Sequence, residues 1–212
     1  DEEGVLSTPA PAVSSACDGA GKFLEDQDEA EFGPAPALTE GQKAKMKKVV
    51  KEGGKRGVEI EGAADMGGLQ FFCTSVEEPD GDLVLLKESL RAMNAKPDEA
   101  AEERKGGSGH VGKMIFSAGT EQLAVVAYVP KAKRAELDCV EWLKAVLDTQ
   151  SGEVVAGSAA VSTGCVKANP DKGIFPLKIR EAMIVEANNF LRKKGLFPED
   201  DDDDDEMVFG DD

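Results

Sequence analysis

The sequence predicts an α+β fold, α/β in the broad sense, with a small mixed sheet and helices packed mainly on one face. Three observations predict it. Short apolar runs of strand length occur at residues 69–76, 113–117 and 123–129. Longer stretches at 83–93, 137–146 and 179–191 repeat apolar residues at helical spacing. The order is strand, helix, hairpin, helix, glycine-rich passage, helix, and a sheet backed by helices buries those faces.

Residues 1–37 mix STPAPAVSSA with EDQDEAEFGPAPA, rich in proline and acid and poor in anything to bury, which predicts a disordered linker. Residues 38–57 are expected to be a basic helix or linker. Thr39 is its N-cap, Leu38, Met46, Val49 and Val50 give a weak apolar stripe, and Gly53 and Gly54 are expected to stop it. A domain is expected over 58–198. Leu69 to Val76 reads as a buried strand and Pro79, Asp80 and Gly81 as its turn. Asp82 then caps a helix carrying Leu83, Leu86, Leu90 and Met93. PDEAAEERKGGSGH is a polar loop, and the runs around Ala118-Gly119-Thr120 form a β-hairpin. Leu137, Val140, Leu143, Ala145 and Val146 share a helix face, as do Ile179, Met183, Ala187, Phe190 and Leu191, with Arg192, Lys193 and Lys194 before Gly195 as the helix stop.

The net charge of -17 sits in the flanks. Residues 199–212 carry ten acids and no base, and residues 1–37 carry nine acids against Lys22, leaving 23 acids and 24 bases between them. The folded part is therefore nearly neutral, and DDDDDDE at 200–206 predicts a solvated tail over 199–212, with MVFG a short apolar patch embedded in acid. Cys17, Cys73, Cys139 and Cys165 are far apart and lack Cys-x-x-Cys spacing, which predicts reduced thiols and no zinc site. That fits a cytoplasmic protein, or an organellar one whose targeting peptide has been removed. No run is long enough to cross a bilayer, so membrane insertion is not expected.

His110 is the one histidine and stands in a loop, so no triad is visible. GGSGHVGK resembles a phosphate loop, but Met114 occupies the position that must coordinate magnesium. No catalytic residue, metal ligand or cofactor is assigned. The basic segment from Lys43 to Arg56 reads either as counterion-release contacts to phosphate or as the solvated face of a helix.

The passage LDCVEWLKAVLDTQSGEVVAGSAAVSTG resembles the C-terminal domain of eukaryotic alanyl-tRNA synthetase. There a Glu-Trp helix leads into a glycine-rich run, a Ser-Ala segment and a closing Thr-Gly. Glu141, Trp142, Gly152, Ser158, Ala159, Thr163 and Gly164 stand at the corresponding places, and the order of elements agrees over about residues 68–195. The resemblance implies a non-catalytic tRNA-binding or oligomerising accessory domain, a fragment or relative of alanine-tRNA ligase, in which glycines let backbone amides approach phosphate. In this chain the family's dense glycine run reads SGEVVAG, with a carboxylate and two β-branched residues. The expected nucleic-acid contacts are Lys43, Lys47, Lys48, Lys51, Lys55 and Arg56, then Lys131, Lys133 and Arg134, then Gly152, Gly157, Ser158 and Gly164, and last Arg192, Lys193 and Lys194. The expected partners are tRNA or another RNA, or a protein partner or second copy. The alternative is a protein-interaction or structural subunit that has kept the fold, lost RNA binding and uses its acidic tails to contact partners.

Overall fold

Alternating strands give this sheet two buried faces, and helices cover both. The computed structural model describes residues 29–33, 36–97 and 102–196. Its elements are α1 (Glu29–Phe32), α2 (Glu40–Gly67), β1 (Phe71–Ser75), α3 (Leu83–Asn94), β2 (Gly112–Ala118), β3 (Gln122–Tyr128), α4 (Cys139–Asp148), β4 (Glu153–Gly157), β5 (Val161–Lys167) and α5 (Pro176–Lys193). The strands form one five-stranded sheet in the order β1-β2-β3-β5-β4. β1 runs parallel to β2 and the remaining pairs are antiparallel, so the mixed sheet of an α+β fold is present.

On one face Met114, Phe116, Leu123, Val125 and Ala127 meet Trp142, Leu143 and Leu147 of α4 and Met183, Ala187 and Leu191 of α5. Trp142 donates its indole N–H to the carbonyl of Ala187 at 3.2 Å and meets Phe71 edge-on. On the other face Ile115, Ala124, Val126 and Tyr128 meet Leu86, Leu90 and Met93 of α3, with Ile60 and Ala64 of α2 in the same cluster. The placement of helices mainly on one face is thus corrected. Residues of both parities in β2 and β3 are apolar, so both faces require cover.

Local chemistry sets most boundaries. Thr39 caps α2 through a capping box with Gln42. The Asp82 carboxylate accepts from the amides of Val84 at 2.8 Å and Leu85 at 3.1 Å at the start of α3. Asp80 and Gly81, both at positive φ, form the turn before it. α5 ends at Gly195, at φ 69°, with the Leu196 amide bonded back to the Leu191 carbonyl at 2.9 Å.

Three expectations change. α2 does not stop at Gly53 and Gly54, and the boundary between 57 and 58 falls inside one helix that runs to Gly67 and is capped by Gly68. Gly53 and Gly57 are buried against the backbone of α3, so they serve close approach. The glycine-rich passage is a hairpin, β4 and β5, whose turn is closed by the Ser158 amide donating to the Val161 carbonyl at 3.0 Å. Within the stretch expected to be an unpacked linker, α1 seats Phe32, which is 3 % exposed and stacks on Tyr128. Arg91 ties this turn down by donating to the Gly33 carbonyl at 2.7 Å. The expected disorder of residues 1–28 and the expected acidic tail at 199–212 lie outside the described residues. Among the described residues no helix is long and apolar enough to cross a membrane.

Candidate nucleic-acid interface

The outer face of α2 carries Lys47, Lys51 and Lys55 four residues apart, with Lys48 beside them. A helix rises about 1.5 Å per residue, so successive members stand about 6 Å apart along the axis. All four are exposed. None has an ion-pair or hydrogen-bond partner among the described residues. The Glu52 carboxylate, the nearest acid in sequence, accepts instead from the amides of Glu77 and Glu78, each at 2.9 Å, on the loop after β1. The row is therefore a line of uncompensated charge. The other two expected α2 contacts are paired, Lys43 with Glu40 at 2.7 Å and Arg56 with Glu59 at 2.6 Å. Such exposed pairs are weak and leave both cations available. Lys45 pairs with Asp80 at 2.9 Å.

The other expected clusters do not join this row. Lys133 donates to the carbonyl of Gln70 at 2.9 Å and lies over the Phe71 ring, and burial lowers its pKa. Arg134 pairs with Glu31 and donates to the Val129 carbonyl at 3.1 Å. Both therefore fix the connection between β3 and α4, and only Lys131 of that trio projects freely. Lys194 pairs with Glu141 at 3.0 Å and Arg192 contacts Asn189 at 3.4 Å. They and Lys193 end α5, which packs on the opposite face of the sheet from α3 and α2.

The glycines of the hairpin make room for α4. A Cβ on Gly164 would come within 2.4 Å of the Leu147 side chain, one on Gly152 within 2.9 Å of it, and one on Gly157 within 3.0 Å of Val140. Gly157 and Gly164 lie in strands, paired with Ser162 and with Val154 respectively. The Ser158 hydroxyl donates to the Val161 carbonyl at 2.9 Å and accepts from the Val161 amide at 3.0 Å. The expected phosphate-cradling loop gives way to a packing and turn-closing role: the Gly152 amide donates to the Leu147 carbonyl at 2.9 Å, the Ser158 amide closes the hairpin, and Gly164 lies in a strand paired on both sides, so three of the four amides that a cradle needs are engaged.

GGSGHVGK likewise forms no phosphate loop. Lys113 is wholly buried and donates to the Asn94 side-chain oxygen and to the Ser108 carbonyl, with Tyr128 beneath its amine. Among the described residues no carboxylate pairs with it, and burial, with Lys133 nearby, pushes its pKa well below the ordinary value. A neutral amine has two N–H groups for these two acceptors. Sequence reasoning missed this group, since a lysine opening a strand reads as polar edge; its only signal is that it shares a strand face with Ile115. Cys139 is also buried, its thiol pushed up to about 11 mainly by desolvation. Cys73, Cys139 and Cys165 form no disulfide, and among the described residues no cluster could hold a metal ion.

No protein-family model matches the chain, and no curated protein sequence matches it. Among solved structures the chain is similar to the C-Ala domain of alanyl-tRNA synthetase from Aquifex aeolicus, at 20% identity over 54% of this chain and 89% of that one, with a TM-score of 0.32.

Proposed function

We propose that this chain is a non-catalytic accessory domain that binds RNA, tRNA foremost, through the lysine row of α2. The observation that supports it is the row itself: Lys47, Lys48, Lys51 and Lys55, exposed and uncompensated within a central region whose total charge, row included, is nearly balanced. Cations held in one line by a rigid helix release counterions from a phosphate backbone without first being ordered. Lys43, Arg56 and Lys131 extend the contact, and Lys193 with Arg192 forms a separate, secondary one. The unpaired thiols support a reducing compartment, the cytoplasm. The folded unit takes in α1, whose Phe32 packs in the same cluster as α3, and α2 as well.

Titration of labelled total tRNA with the full chain at about 50 mM salt, where electrostatic contacts are strongest, tests the reading. Binding that weakens at least tenfold in K47Q/K51Q/K55Q and is unchanged in S158A is the expected result. Absence of binding by the unaltered chain overturns it.

A further inference from the structure

The sheet ends on one side in β4, whose five residues are all exposed and which, among the described residues, pairs only with β5. The outward N–H and C=O groups of such an edge are a template for another strand. Beside it, between the first turns of α3 and the sheet, runs a groove of about 250 Å³ lined by Leu83, Val84, Lys87, Val155, Val161 and Thr163. Val155 is 55 % exposed and Val154 39 %. The open edge and the apolar groove are one continuous surface.

We propose that this edge is the seat of the chain's own residues 207–210, Met-Val-Phe-Gly, added to the sheet beside β4. The place where the described chain ends favours this occupant. Lys194 pairs with Glu141 on the first turn of α4, and Val140 on that same turn touches Gly157 at the end of β4. The end of α5 is therefore separated from the edge strand by the Lys194–Glu141 side-chain pair and the width of α4, about 10 Å. A five-residue strand spans about 17 Å. The residues from Leu196 to Met207 reach up to about 35 Å when extended, so the segment can lie along β4 in either direction.

The chemistry agrees. Met207, Phe209 and Asp211 alternate onto one face of an extended segment and Val208 onto the other. Met207 and Phe209 then fill the groove beside Val155, Leu83 and Val84, Asp211 meets Lys87, and Val208 covers Val154. Lys87 is desolvated and repelled by Arg91, both of which lower its pKa, so an acid there is favourable. The bulge between Val154 and Ala156 breaks the regular edge. It suits a short segment and disfavours open-ended pairing between copies. The proposal does not depend on RNA binding at α2.

Residue-resolved hydrogen exchange on the full chain tests it, comparing the unaltered protein with M207S/V208S/F209S, whose changes lie outside the described residues. Outward-facing amides of 153–157 are expected to exchange at least tenfold faster in the variant, with β2 and β3 unchanged. V155K, at an exposed position, is expected to reproduce the effect with the tail intact. Equal exchange in the unaltered chain and the tail variant overturns the proposal. Protection that falls on tenfold dilution also overturns it, by assigning the seat to a second copy.

Discussion

Gly53 of α2 lies so close to Ser89 of α3 that a Cβ at position 53 would stand 2.5 Å from the Ser89 carbonyl oxygen. One turn on, a Cβ at Gly57 would stand 2.6 Å from the Met93 carbonyl. These two glycines form a seam along which the helix backbones touch. The same helix contains Gly62, where a Cβ would meet nothing within 4 Å. Gly53→Ala is therefore expected to destabilise by about 1–3 kcal/mol, overpacking against backbone outweighing the gain in helix propensity. Gly62→Ala is expected to stabilise by up to about 1 kcal/mol. Urea unfolding of the two variants checks the opposite signs.

That seam shows where the sequence is legible and where it is not. α3 is readable because Asp82 caps it and Leu86, Leu90 and Met93 face one way, and the β2–β3 hairpin because each strand is an unbroken apolar run of strand length. α2 is readable at its start, from Thr39, but not at its end, since a glycine that admits a neighbouring backbone looks the same in sequence as one that stops a helix. Gly152, Gly157 and Gly164 mislead in the same way, because their use is set by Leu147 and Val140 on another element. The lysine row of the candidate interface is legible as composition. That Glu52 turns away from it toward Glu77 and Glu78 is a tertiary fact.

The turn of the β4–β5 hairpin rests on one hydroxyl. The Ser158 side chain donates to the Val161 carbonyl and accepts from the Val161 amide, and its own carbonyl accepts from the Ser162 hydroxyl at 3.2 Å. Ser158→Ala is expected to destabilise by about 1 kcal/mol and leave tRNA affinity unchanged. A drop in affinity without a drop in stability would restore the phosphate-loop reading. Thermal unfolding and titration on one preparation decide it.

Lys113 makes stability depend on alkaline pH. Its folded pKa lies well below its ordinary value of 10.5, so in the window between the two the unfolded chain holds a proton that the native state lacks. Unfolding is then accompanied by proton uptake, and this group's contribution to stability falls as pH decreases from 10.5 toward the folded pKa. Lys113→Met removes the effect while keeping an unbranched side chain beside Tyr128. The stability of the unaltered protein relative to the variant is expected to rise with pH in that window, by at most about 1.4 kcal/mol per pH unit. Unfolding curves for both proteins at several pH values below 10.5 measure the slope, and taking the difference cancels the other groups that titrate there. A flat difference would mean that Lys113 stays charged in the fold.

The α2 row makes a quantitative prediction about salt. Each lysine that neutralises a phosphate releases bound counterions, so the logarithm of the association constant falls linearly with the logarithm of salt concentration, with a slope of about -0.7 per contact on a single strand and -0.9 on a B-form duplex. Lys47, Lys51 and Lys55 have no carboxylate to exchange for phosphate, so each is expected to contribute close to the full increment. Lys43 must leave Glu40 and Arg56 must leave Glu59, so each contributes less. K47Q/K51Q/K55Q is therefore expected to flatten the slope by about 2, and Lys43→Gln by a smaller increment than any one of the three. All four positions lie on the exposed side of α2, so helicity by circular dichroism is expected to be unchanged. A flattening confined to Arg192→Gln and Lys193→Gln would move the interface to the end of α5, across the sheet from where the uncompensated charge of α2 places it.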